Sequence, residues 1–273
     1  MLGKLLKYDC KELSKTFLPF YAVILAMSLL DALSLRFQWF YALFGVSTII
    51  FGLFMALGVV TVVLAISQFY HSILSDQGYL SNTLPVKTGT LVLSKLFSSL
   101  IWMFFSFITA VLSLTILLLG SLSFGEIQEF FSACWQLIQA VFDYMSTSNG
   151  LVNVLIMVLC ALLLFLLLFA GLANEVLHFY LSMACSQLRP FCRNRIAGSF
   201  IAYFLISIPV ATLTGVGAGG TAALVKILNL SQTLSGPGFV IFILSFSLLG
   251  TMILNLLFYF PTCYLLKNKL NLE

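Results

Sequence analysis

The chain has 273 residues, of which 61% are hydrophobic and only 8% are charged. Soluble domains carry roughly 25% charged residues, so a fold this poor in charge could not cover a surface that faces water. Its net charge of +4 comes from basic residues at the ends of apolar segments, which excludes a nucleic-acid-binding patch. The composition predicts an all-α integral membrane protein.

Six apolar segments are long enough to cross a bilayer as helices. A hydrocarbon core of about 30 Å requires about 20 helical residues, and such long unbroken runs exclude a β-barrel. In chain order the predicted spans are 17–33, 41–69, 96–119, 151–173, 196–214 and 239–266. We therefore predict one transmembrane domain that covers residues 1–273.

The basic residues define the predicted orientation, because Lys and Arg concentrate in cytoplasmic loops. An even number of spans places both termini on the same side. That side holds eleven of the thirteen Lys and Arg residues, namely Lys4, Lys7, Lys11, Lys15, Lys87, Lys95, Arg189, Arg193, Arg195, Lys267 and Lys269. Only Arg36 and Lys226 lie opposite. We predict a multi-pass protein of the cell (plasma) membrane with cytoplasmic N- and C-termini.

The first 16 residues, MLGKLLKYDCKELSKT, precede the first span and are predicted to form an interfacial helix. Lys4, Lys7, Lys11 and Lys15 follow one another at helical spacing and share a face, and leucines occupy another face. Such a helix can lie flat on anionic lipid of the cytoplasmic leaflet. A solvated leader that only sets the topology is the alternative.

A polar stretch, FYHSILSDQGYLSNTLPVKTGTLVLSKL, joins the second and third spans, and its central part forms a predicted cytoplasmic loop over 70–95. Gly78 permits a turn that other residues make less easily, and Pro85 ends any short helix formed there. Tyr79, Leu80 and Leu84 are apolar in a segment that should face water. The residues alone leave two readings open, a docking site for another protein and an ordinary folded loop.

The segment 121–150 on the outer side contains a predicted amphipathic helix over 124–145. Its apolar residues recur at intervals of three and four, namely Ile127, Phe131, Cys134, Ile138, Val141 and Met145. The helix has three acids and no Lys or Arg. It is expected to pack on the bundle or on outer headgroups; an extracellular gate or a substrate-contacting flap is the functional alternative.

Two short motifs resemble known sites but lack their context. GVGAGG at 215–220 fits a dinucleotide fingerprint, yet it follows a spanning helix rather than a strand, so a bent turn or close helix packing is the better account. Glu175 and His178 have the spacing of a di-iron pair, but the chain has only two histidines. An interhelical hydrogen bond explains this pair; a gating role is the alternative.

The catalytic motifs searched for are also missing from the sequence. There is no G-x-x-x-x-G-K-[ST] phosphate-binding loop and no G-x-S-x-G elbow. An intramembrane enzyme would depend on His71 or His178, because these are the only histidines. We predict no catalytic residue, cofactor site or metal site in this chain.

Four stretches resemble the permease subunits of bacterial ABC-2-type transporters of the Gram-positive type. They are LLKYDCKELSKTFLPFY, the polar stretch of the loop, RNRIAG and LLKNKLNLE. The loop matches the family pattern D-[EQ]-G-Y-L-x-x-T-L-P-V, and the other stretches match its K-Y-[DE] start and K-N-K-L-N-L-E end. The insertion over 124–145 departs from the family.

The resemblance implies a permease with a type V exporter-like fold that pairs with a second permease copy or relative in membrane lipid. Two separate ABC ATPase subunits would bind ATP and Mg. The loop would be the coupling helix that contacts the ATPase, through Asp76, Gln77, Gly78, Tyr79, Leu80, Thr83, Leu84 and Pro85. Arg193 and Arg195 would form a second contact, unless they only anchor the topology.

The expected function is export of a peptide, drug or lipid-like substrate. A membrane interaction, immunity or sensor subunit without transport is the alternative, and it predicts no ATPase partner.

Overall fold

The computed structural model describes residues 2–37, 40–74, 87–122, 124–145, 150–188, 195–227 and 236–268. These residues form seven α-helices and no strand. They are α1 (Leu2–Arg36), α2 (Phe40–Phe69), α3 (Thr88–Ser121), α4 (Phe124–Met145), α5 (Gly150–Cys185), α6 (Arg195–Ile227) and α7 (Gly236–Asn268). A π-helical turn, Tyr70–Leu74, follows α2 directly.

Six of the helices are long and apolar enough to cross a membrane, which confirms the predicted all-α fold and the number of spans. The spanning segments are Leu2–Arg36, Gly45–Ile73, Thr88–Ser121, Gly150–Cys185, Ala197–Gly215 and Gly238–Asn268. A helix satisfies its own backbone hydrogen bonds, and no water in the bilayer core could do so instead. The chain is therefore a multi-pass membrane protein.

Helix α1 differs from the prediction of an interfacial helix over 1–16 that is separate from the first span. It runs without interruption from Leu2 to Arg36. The buried positions Leu13, Phe17, Tyr21 and Ile24 follow one another at intervals of four, four and three, so one apolar face continues across the predicted boundary. Residues 2–16 are therefore continuous with the helix that contains the first span, and their position at the membrane interface stays a prediction.

The predicted loop over 70–95 is shorter in the structure, because helices extend into it from both ends. The π-helical turn occupies Tyr70–Leu74, and α3 begins at Thr88 rather than at 96. Leu91 and Val92 are buried, and this burial favours helix there despite the polar residues around them. Helix α6 likewise continues through Gly215 and Gly219, so no turn occurs there, and among the described residues an added Cβ would meet nothing within 4 Å.

The described contacts divide the chain into two compact units. Unit 1 comprises 1–65 and 97–151, and unit 2 comprises 66–96 and 152–273. The division falls inside α2 and α3 and near the start of α5. Residues before and after the predicted cytoplasmic loop therefore belong to unit 2.

In unit 1, α1 and α3 run parallel and make contact at several points along their length. The Cys10 thiol lies 3.7 Å from the Ser98 hydroxyl near the start of both helices. Tyr21 meets Trp102 further along, with its hydroxyl 3.1 Å from the Trp102 carbonyl oxygen. At the far end a Cβ on Gly120 would lie 2.6 Å from the Ala32 Cα. A parallel pair fits the predicted topology, because α2 returns between them.

A buried polar connection links three helices of unit 1. The Tyr21 and Ser106 hydroxyls are 2.7 Å apart, and the Ser106 and Thr61 hydroxyls are 3.1 Å apart. The ring of Phe17 stacks on Trp102 with centroids 5.0 Å apart beside these bonds. In lipid the hydrophobic effect does not drive helices together, because lipid tails are as apolar as helix surfaces. Packing and interhelical hydrogen bonds hold the helices together.

We predict that Gly120→Ala lowers the stability of the detergent-solubilised protein by about 1–3 kcal/mol, because the added methyl overlaps the backbone of Ala32 and the helices must separate. Reversible unfolding in denaturing detergent measures this difference. Gly58→Ala is the matched control, since a Cβ there meets nothing within 4 Å. Equal effects of the two substitutions would contradict the close approach.

Candidate functional site

The predicted ATPase-contact residues lie outside the described residues. These are Asp76, Gln77, Gly78, Tyr79, Leu80, Thr83, Leu84 and Pro85, together with Arg193. Arg195 begins α6, and the arrangement of its side chain is likewise outside the description. The structure does describe the chain immediately before and after the loop segment 75–86, and these flanks carry the candidate site.

The flank before the segment is held by two aromatic rings. Phe69, the last residue of α2, stacks on Tyr180 of α5 with ring centroids 3.9 Å apart and planes inclined by 11°. Both side chains are 0% exposed. Such a pair contributes about 0.5–1.5 kcal/mol beyond its area burial, and close packing leaves it little freedom. We call this contact the entry anchor.

A π-helical turn directly follows the entry anchor. Tyr70–Leu74 is wound with wider hydrogen-bonded turns than α2, so the side chains point in directions that an α-helix would not give. Ile73 remains buried at 3% exposure while His71 is exposed. Single π-helical turns occur frequently at functional sites. The change of winding lies one residue beyond Phe69, where the chain leaves the packed helices.

The flank after the segment is held by a close approach of α3 to α7. A Cβ atom at Gly89 would lie 2.5 Å from the Tyr259 Oη and 3.8 Å from the Cys263 Sγ. A side chain at this position would displace the tyrosine, so glycine permits the contact. Val92, nearly one turn further along α3, is fully buried. We call the contact of Gly89 with Tyr259 and Cys263 the exit anchor.

Both anchors belong to unit 2, and they connect the two ends of segment 75–86 to different helices. The entry anchor contacts α5 and the exit anchor contacts α7. Packed protein interiors transmit displacement because they have few voids. A force applied to the segment would therefore reach both α5 and α7.

The exposure of the α5 side chains changes along the length of the helix. Its side chains between 151 and 169 are mostly exposed and apolar, as expected of a helix surrounded by lipid. From Val176 onward nearly every side chain is buried, including Leu177, Tyr180 and Ala184. The entry anchor therefore contacts the part of α5 that is enclosed by protein within unit 2.

Of the predicted gating pair, His178 lies in this enclosed part, and Glu175 directly precedes it. The His178 imidazole is sandwiched between Tyr203, with centroids 4.4 Å apart, and Phe258, with centroids 5.3 Å apart. His178 is 5% exposed, whereas Glu175 is exposed and acts on it electrostatically. The Nε2 atom of His178 has no hydrogen-bond partner in the described part of the chain. The gating role stays a prediction.

Two asparagines extend the polar character of this region, and sequence analysis did not single them out. Asn255 of α7 donates through Nδ2 to the Ala170 carbonyl oxygen at 3.0 Å. Its Oδ1, and the Nδ2 of Asn174 on α5, are buried and have no partner among the described residues. Asn174 and His178 are four residues apart on one face of α5, which is the signal that could have revealed them.

We call Asn174, His178 and Asn255 the polar stripe of α5 and α7. Polar side chains are costly inside a membrane and are usually kept for function or for helix contacts. Within the described ranges, no three His, Cys, Asp or Glu residues lie close enough to hold a metal ion. The stripe offers amide and imidazole groups for hydrogen bonding rather than a metal ligand set.

Comparison with known protein families, with curated proteins and with solved structures finds no match for this chain. The function is therefore inferred from the residues of the chain and from the geometry of unit 2.

The exit anchor predicts a specific rescue. Gly89→Ala should lower the unfolding free energy in detergent by about 1–2 kcal/mol, because the new methyl overlaps the Tyr259 hydroxyl. In Gly89→Ala with Tyr259→Phe the overlapping oxygen is absent, and the next atom, Cζ, lies at 3.6 Å, an ordinary contact. The double variant should regain most of the loss.

Tyr259→Phe alone is the control for the hydrogen bond between Tyr259 and Cys263. A double-mutant cycle in which the two effects simply add would show that Gly89 and Tyr259 do not touch.

Proposed function

We propose that this chain is the membrane-spanning permease subunit of an ATP-driven exporter of the ABC-2 type, with a type V exporter-like fold. It works with a second permease copy or relative and with separate ABC ATPase subunits that bind ATP and Mg. The observation that carries the proposal is that segment 75–86 is fastened at both ends inside unit 2, by Phe69 on Tyr180 and by Gly89 against Tyr259. The pattern in this segment supplies the resemblance to the family.

Fastening at both ends is what a coupling segment requires. A loop attached by flexible linkers would absorb the movement of a partner, whereas rings packed without exposed surface pass it on. Tyr79 and Leu80 lie in the middle of the segment and offer apolar groups to a cleft on the ATPase. The ATPase supplies the free energy, and this chain converts the movement of the ATPase into movement of its spanning helices.

In the proposed mechanism, movement of the ATPase subunits passes to the spanning helices in a defined order. Closure of the ATPases on ATP displaces segment 75–86, and the anchors pass the displacement to the enclosed part of α5 and to α7. The polar stripe lies between these two helices, so their relative shift changes how its amides and imidazole are arranged. Rigid helix shifts of this kind interconvert inward-open and outward-open states.

The anchors join helix ends that share one side of the predicted six-span topology. The entry anchor joins the end of α2 to the later part of α5, and the exit anchor joins the start of α3 to the later part of α7. The distribution of Lys and Arg assigns all four helix ends to the cytoplasmic face. The proposed localisation is the cell membrane, with both termini in the cytoplasm.

The substrate class that suits the chain is an amphipathic molecule such as a peptide, a drug or a lipid. The chain has 27 Phe among 273 residues, and these rings could contact an apolar cargo. The polar stripe provides a small number of hydrogen-bonding groups beside this apolar surface. Such a mixture is typical of sites that bind organic ligands.

Tyr79→Ala combined with Leu80→Ala is expected to uncouple transport. Substrate efflux from cells or proteoliposomes should fall at least about tenfold, the effect of losing roughly 1.4 kcal/mol of contact, while ATP hydrolysis by the partner persists. The unfolding transition in detergent should be unchanged. Ser81→Ala with Asn82→Ala in the same segment is the matched control and should transport normally.

Normal transport by the Tyr79 and Leu80 double variant would remove the coupling role from these residues. Affinity purification of the chain from native membranes adds a separate criterion. An ABC ATPase should co-purify in comparable amount, whereas its absence would favour the interaction, immunity or sensor alternative.

A further inference from the structure

Helix α4 has the most sharply divided surface in the chain. At about 100° per residue its apolar residues occupy one arc of roughly 160°, and its polar residues occupy the remainder. The members of the arc are Ile127, Phe130, Phe131, Cys134, Trp135, Leu137, Ile138, Val141, Phe142 and Met145. We call this surface the apolar arc.

The described residues of unit 1 do not cover the apolar arc. Six of its side chains are exposed, namely Phe130, Phe131, Trp135, Leu137, Ile138 and Phe142. Trp135 is 61% exposed and Phe142 is 66% exposed. The sequence left two packing partners open, the bundle and the outer headgroups, and the described helices of unit 1 do not supply the first. A surface of several large aromatic groups does not remain in water.

The connections of α4 determine its depth. Helix α3 ends at Ser121, only two residues before α4 begins, and α5 begins at Gly150, four residues after α4 ends. Two residues reach at most about 7 Å. Because α3 leaves the membrane and α5 enters it on the same side, α4 is held at that membrane surface.

The charges of α4 indicate which lipid it meets. Glu126, Glu129 and Asp143 all lie on the polar arc, and the helix contains no Lys or Arg. A basic interfacial helix binds anionic lipid by charge attraction, but an acidic one is repelled by it. Attachment of α4 must therefore come from burial of apolar groups.

We propose that α4 is an interfacial membrane helix whose apolar arc is buried among the headgroups and upper acyl chains of zwitterionic lipid. Trp135 and the neighbouring phenylalanines fit this location, because aromatic side chains concentrate at membrane interfaces. The acids then face the water above the membrane. The inference is independent of the transport function, since it depends only on α4 and its two connections.

Fluorescence of Trp135 in the full chain, reconstituted in phosphatidylcholine nanodiscs, tests the proposal. The signal of Trp135 is the difference between the natural protein and Trp135→Phe, because Trp39 and Trp102 are common to both. Lipid brominated near the glycerol end of its acyl chains should quench this signal more strongly than lipid brominated near the methyl end. Water-soluble acrylamide should have little effect.

Moving the tryptophan by one residue provides the matched control. In Trp135→Phe with Gln136→Trp, the indole lies on the polar arc, about 100° around the helix. Its fluorescence should be quenched by acrylamide and not by brominated lipid. Phosphatidylglycerol should not strengthen the quenching of Trp135 by brominated lipid, because the acidic helix gains no attraction from anionic headgroups.

Three results would overturn the proposal. Quenching of Trp135 by acrylamide alone would place the apolar arc in water. Protection from both quenchers would show that a second protein copy or another protein covers it. Quenching by brominated lipid only when phosphatidylglycerol is present would assign anionic rather than zwitterionic lipid.

Discussion

The stacked rings of Phe69 and Tyr180 are the contact on which the functional account depends. They fix the place where the chain leaves α2, and the π-helical turn and segment 75–86 follow within a few residues. Neither ring is exposed, and in the proposed mechanism a displacement of the segment would pass through this stack to α5. Without this stack, the flank before segment 75–86 would lose its ring contact with α5, and the proposed coupling would depend on the exit anchor.

The bilayer explains why the remaining contacts are few and specific. In lipid the hydrophobic effect does not drive helix association, so close backbone approach and hydrogen bonds determine which helices pack together. Unit 1 shows both, in Gly120 against Ala32 and in the Tyr21, Ser106 and Thr61 hydroxyls. Unit 2 has stacked rings, the hydrogen bond from Asn255 and the close approach at Gly89. The first half of α5 is largely exposed.

The sequence predicts the features that depend on local periodicity, and it misses those that depend on packing between distant residues. The bounds of α4 were predictable because apolar and polar residues separate over six turns. The continuity of α1 was not, because clustered lysines suggested a boundary that buried Leu13 and Phe17 override. Gly89 looked like one of many glycines, since its contact lies 170 residues further along the chain, at Tyr259. The polar stripe was likewise not predictable from a local pattern, because Asn255 of α7 contacts α5 at Ala170, 85 residues away in the chain.

The most direct test of the account is photo-crosslinking from position 79 in native membranes. A photoreactive phenylalanine analogue in place of Tyr79 keeps an aromatic ring at the centre of the segment. The account predicts a crosslink to an ABC ATPase subunit, with a yield that changes when ATP or a non-hydrolysable analogue is added. Crosslinks only to lipid, or only within this chain, would show that segment 75–86 is not the contact with a separate motor.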